Sequence, residues 1–147
     1  MDKETVPLNE SHRPAENAIQ AFEQVDTKIK EAVIASRKHW DAHEPEMWKR
    51  AKGLSDSELT SFKVSKDLVL VRSGPTPYGT VIFGKIKIPA LNDAYIHVRI
   101  HDPPNRGTDD VVFHSLLTDE GNRDADGRPT TWDAIFDEQK ELDFFNE

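Results

Sequence analysis

A chain of 147 residues has the length of one domain, and Leu, Ile, Val and Phe supply 35 of them, enough for one modest core. Cysteine is absent, which excludes disulfides, thiolate nucleophiles, iron–sulfur clusters and cysteine-ligated zinc. The formal net charge of −8 is uneven: residues 118–147 hold 10 acidic and 3 basic side chains, while 1–117 hold 17 and 16, a balance that argues against binding nucleic acid.

Residues 1–13 (MDKETVPLNESHR) are polar, without apolar periodicity or the apolar run of a secretory signal, and read as a flexible arm. No apolar run approaches the 18 residues of a membrane span, so the expectation is a soluble, cytoplasmic domain that does not engage membranes. Pro14 suits a first helical turn. From there Ala18, Phe22, Val25, Ile29, Ala32, Ser36 and Trp40 recur at steps of four and three, with Ile19 and Val33 widening the stripe. That spacing predicts one amphipathic helix of about 25 residues, ending before Pro45. The stripe reads as cover for a sheet; its Ala and Ser positions make a weak seam for a coiled-coil dimer. Pro45 opens a short helix carrying Met47, Trp48 and Ala51, and Ser55-Asp56-Ser57-Glu58 spells a capping box with Leu59 and Phe62 turned inward.

The period then changes to two. Residues 67–73 (DLVLVRS), 80–88 (TVIFGKIKI), 94–101 (AYIHVRIH) and 110–117 (DVVFHSLL) read as β-branched strands joined by Pro, Gly and Asx turns. Such short links favour antiparallel neighbours, hence a meander. An acidic loop, 118–129, follows. Thr130 or Thr131 caps a last helix over 130–147, with Trp132, Ile135, Phe136 and Leu142 on one side. The expected fold is therefore one α+β domain over 14–147, a two-layer sandwich. Its helical part (14–62) and its C-terminal helix pack on one face of a four-stranded sheet (67–117).

Strand alternation separates two sheet faces. Ile96, Val98 and Ile100 point one way, and Tyr95, His97, Arg99 and His101 the other. Pairing Ile86 with Ile96 also sets Ile82 opposite Ile100, and a one-residue slip drives Lys85 and Lys87 into the core, so burial constrains the register. A last hairpin that sets His101 opposite Asp110 also sets His97 opposite His114. Leu68 and Leu70 extend the apolar face, Val69 and Val71 the other. The second face thus collects Lys85, Lys87, Tyr95, His97, Arg99, His101 and His114 beside Val69, Val71, Val81 and Phe83. The plain reading is an ordinary solvated face. The functional reading is a binding face for an anionic small molecule or an acidic partner segment, with Arg99 as the bidentate fork. A third is that the chain's own acidic last segment lies across it.

A non-catalytic binding protein, monomeric or homodimeric, is the leading expectation. The second is a small cofactor-independent lyase, isomerase or hydrolase with His97, His114 and Tyr95 as proton-transfer groups. The third is an interaction subunit acting through its long helix and its acidic aromatic end, where Phe144 and Phe145 have no core role assigned. His97 and His101 lie about 13 Å apart along a strand, too far to share a metal ion. No cofactor is expected, calcium being the alternative. Asn122, Asp124, Asp126 and Asp133 fall at positions 1, 3, 5 and 12 of a calcium loop with Gly127 at 6, but Asn at 1, Asp at 12 and Pro129 at 8 depart from the pattern. His39 and His43 share one helix face at a spacing that suits zinc, though imidazoles near a helix end more often serve its dipole.

Overall fold

The computed structural model describes residues 8–40, 48–103, 111–120, 125–127 and 132–145. The long amphipathic stretch forms two helices, α1 (Glu16–Gln24) and α2 (Asp26–Trp40), instead of one. The break is at Val25, whose N–H bonds back to the Phe22 carbonyl while its own carbonyl accepts from Ile29, so one residue closes the first helix and opens the second. The apolar stripe survives the break: Phe22, Val25, Ile29 and Val33 are all buried. Ser36, polar within that stripe, accepts the indole N–H of buried Trp48 at 2.8 Å. A 3₁₀ turn (Lys49–Ala51) and two one-turn helices, α3 (Asp56–Leu59) and α4 (Val64–Asp67), complete the layer. Ser55 and Glu58 form the expected capping box, and Leu59 and Phe62 are fully buried. The other helical expectation here, at Pro45 and Met47, lies outside the described residues.

Four strands, β1 (Leu68–Thr76), β2 (Gly79–Lys87), β3 (Tyr95–Asp102) and β4 (Val112–Leu116), make an antiparallel meander in chain order, so the architecture is α+β. Ile86 pairs with Ile96 and Ile82 with Ile100, as burial of their side chains requires. Two bulges correct the rest of the expected register. In β1 the extra residue is Val69, which sends Leu68 and Val71 to the helix side and Leu70 to the opposite side. In β4 the extra residue is His114: Arg99 pairs with Ser115 and Ile100 with Phe113, so Phe113 and Leu116 both reach the helix side. His97 therefore does not face His114; its carbonyl accepts from Leu117 instead.

The helix side is a continuous apolar cluster in which Phe22, Ile29, Phe62, Ile86, Ile96, Val98 and Ile100 meet. Gly84 lets this happen, since a Cβ there would sit 2.5 Å from the Phe22 ring. Residues 8–13, which the sequence assigns to an arm, run along the outer edge of β1. Asn9 donates to the Ser73 carbonyl, and His12 exchanges both backbone bonds with Val71.

The expected last helix is absent from the described residues. Asp119–Glu120 (β5) pairs with Trp132–Asp133 (β6), and 134–145 continue as an extended and turning strap. A helix would have put Ile135, Phe136 and Leu142 on one side. In the strap, Ile135 enters the helix-side cluster while Leu142 is buried on the other face. Among the described residues no helix is long and apolar enough to cross a membrane.

Candidate functional site

The second sheet face is covered by the strap. Phe136 exchanges both backbone bonds with Tyr95 at 2.8 Å, and the Glu138 N–H donates to the Asp93 carboxylate at 2.9 Å. Asp93 holds a left-handed backbone (φ 50°) that Asp tolerates better than most residues, and Arg50 steadies that turn by donating to the Asn92 and Asp93 carbonyls.

Beyond this anchor, basic side chains of the sheet reach the strap through its main chain. Lys85 Nζ donates to the carbonyls of Glu138 and, at 2.9 Å, Lys140. Arg72 Nη1 donates to the Leu142 carbonyl at 2.9 Å, and Arg99 Nη1 to the Phe145 carbonyl at 2.7 Å. Three side chains on three strands thus take carbonyls at 138, 140, 142 and 145. The strap's carboxylates point outward: Asp137, Glu138, Glu141 and Asp143 are exposed, and Asp143 reaches Arg72 only at 3.4 Å. Its apolar side chains point inward. Leu142 is buried with Val81 and Phe83, and the Phe144 and Phe145 rings lie 5.5 and 5.1 Å from that of Phe83. Arg99 spans the rings of Phe83 and Phe144, and Lys85 stands 5.1 Å over Tyr95.

This explains why a helix is not formed here. Basic groups lowered onto an apolar surface require acceptors, and a helix interior has already used its carbonyls on its own N–H groups, whereas an extended strap presents them.

The residues singled out from sequence divide accordingly. Lys85, Tyr95, His97 and Arg99 are brought together under the strap. His101 and His114 stack at its far edge with ring centroids 5.7 Å apart; His114 Nδ1 accepts from Arg99 Nε at 3.0 Å, and His101 meets Thr76 at 3.1 Å. Lys87 stays exposed. Of the calcium-loop residues, Asn122 and Asp124 lie outside the described residues, as does His43 of the helical pair. Among the described residues no three His, Asp or Glu side chains converge as a metal site requires. Arg72, Asp93 and Asn9 were missed by sequence reasoning. The alternation that sets Leu70 on the apolar face sets Arg72 there too, and only the bulge at Val69 turns both toward the strap.

His97 departs from this pairing. It is 0% exposed, its ring lies 5.2 Å from that of Phe136, and neither ring nitrogen has a hydrogen-bond partner. Burial, reinforced by Lys85 and Lys140, pushes its pKa down to about 3, so the imidazole is neutral. Burial also lowers Lys85, opposed by Glu138, Asp137 and Asp93, and it raises Tyr95 with help from Glu138 and Asp93. Comparison of the chain with protein-family models and with curated proteins finds no match.

Proposed function

We propose that this chain is a non-catalytic binding domain whose second sheet face takes an acidic, aromatic-bearing peptide segment in extended form, and that its own 134–145 strap occupies that face as an intramolecular ligand. The observation that carries this reading is the set of carbonyls at 138, 140, 142 and 145 that accept from Lys85, Arg72 and Arg99. Donors aimed at successive main-chain carbonyls recognise a peptide, because backbone bonds supply affinity whatever the side chains are, while apolar sockets at Val81 and Phe83 select for Leu and Phe. A small anion would instead draw those donors to one point. The outward carboxylates contribute a long-range field that steers an acidic segment toward the basic face. A proton-transfer role has less support, because His97 is sealed and is not set against His114.

The test uses the full chain and a synthetic peptide of residues 134–145. Leu142→Ser in the protein removes the buried anchor of the strap, which for a buried Leu is worth about 2–3 kcal/mol. The variant is expected to bind the peptide at least about tenfold more tightly than the wild type, because the competing occupant is weakened. A variant that unfolds cooperatively yet shows no peptide binding by calorimetry would sink the reading.

A further inference from the structure

Hydrogen-bonding groups left without partners beneath the strap report how well it fits. Buried polar groups are paired in nearly all cases, and an orphan costs about 1–3 kcal/mol. The strap satisfies Lys85, Arg72 and Arg99 but lays the hydrocarbon ring of Phe136 against His97. One register step along the same face, opposite Arg99, the Ser115 hydroxyl is also buried and unpaired. Both orphans sit on the face that the strap covers, whereas the basic groups around them are matched. The strap thus matches the basic groups of this face and leaves His97 and Ser115 unmatched.

The charges around His97 say what would fit. Lys85 flanks it from β2 and Lys140 from the strap, Tyr95 and Arg99 neighbour it along β3, and Ser115 lies on β4. The nearby acidic groups, Asp93, Asp137 and Glu138, act on Lys85 and Tyr95. The charges that act on the imidazole, Lys85 and Lys140, are both cationic, and the group that best complements them is an anion that also accepts hydrogen bonds.

We infer that the partner for which this face is built carries a carboxylate where the strap places the Phe136 ring, received by His97 with Ser115 beside it. This deepens the peptide-site reading and rests on it. The chemistry is an acidic side chain, Asp or Glu, within an extended segment that ends in apolar residues. Its arrival draws a proton from solvent onto His97, converting a buried neutral ring into a charge-assisted donor. The strap, lacking that carboxylate, holds the face closed until such a partner displaces it.

Two peptides of residues 134–145, one native and one with Phe136→Glu, are titrated by calorimetry into the full chain carrying Leu142→Ser. The acidic peptide is expected to bind about tenfold tighter at pH 6, with proton uptake seen as a buffer-dependent heat, and His97→Phe is expected to abolish both differences. Equal affinities, or a preference that survives His97→Phe, overturn the inference while binding of the native peptide keeps the broader reading. Binding of neither overturns both. A measurement independent of Leu142→Ser follows the His97 imidazole by NMR in the intact chain. Phe136→Glu should raise its midpoint by roughly 1–3 pH units, and Phe136→Gln should raise it far less. An unmoved midpoint in a folded Phe136→Glu chain overturns the inference.

Discussion

The two faces of the sheet are covered by opposite means. On the helix side Phe22, Ile29, Phe62, Ile86 and Ile100 meet as hydrocarbon, a contact that is non-directional and insensitive to pH. On the strap side Lys85, Arg72 and Arg99 meet main-chain carbonyls, with an aromatic cluster at Phe83. The first arrangement suits permanent burial. The second holds a chain segment through bonds that water or another peptide can replace, and it leaves His97 and the Ser115 hydroxyl unsatisfied. The proposed peptide site rests on that difference.

The comparison is broken most severely on the helix side. Phe22→Ala removes a fully buried ring seated over Gly84 and should cost about 3–5 kcal/mol, read as an earlier denaturant midpoint for the whole domain. If strap and core unfold at different midpoints instead, the two faces are energetically separate.

Acid should act on the strap side. His97 is held near pH 3 in the folded chain against 6.5 when unfolded, so below pH 6.5 the unfolded state binds the extra proton. The stability that its neutrality provides is complete above 6.5. It falls by roughly 1.4 kcal/mol per pH unit below that value, and the loss ends near pH 3. His97→Phe should flatten this slope in urea melts collected across the window; an unchanged slope would assign it elsewhere.

Lys85→Ala strands the carbonyls of Glu138 and Lys140 and should loosen the strap by about 1–3 kcal/mol while sparing the core. Faster amide exchange at Tyr95 and Phe136, with helix α2 protected as before, is the expected signature. The smallest effect sharpens the contrast most. Asp143→Asn removes the Arg72 ion pair, whose carboxylate is 64% exposed, and should change stability by less than about 0.5 kcal/mol. A larger loss would mean that strap carboxylates, not carbonyls, hold it down.

The helix-side face was legible in the sequence because burial of hydrocarbon leaves a period. Phe22, Val25, Ile29 and Val33 announce a helical stripe, and Ile96, Val98 and Ile100 an alternating strand, each from local spacing alone. The same alternation assigned Lys85, Tyr95, His97 and Arg99 to one surface, and the structure brings these four together. The bulges at Val69 and His114 were hidden, since an inserted residue keeps the composition of a strand while changing its partner. The break at Val25 was hidden likewise, as one reoriented peptide leaves the apolar spacing intact.

By itself, then, the sequence determined the α+β class, the meander and the two unlike faces, all consequences of which side chains water rejects. Tertiary structure alone decided what covers the second face. Residues 134–145 carry a helix-compatible pattern, and nothing within them reveals that Tyr95 offers a free strand edge or that Lys85, Arg72 and Arg99 require acceptors. Those demands arise from residues far away in the chain, and they outweigh local propensity because an unpaired buried donor costs more than a lost helical preference.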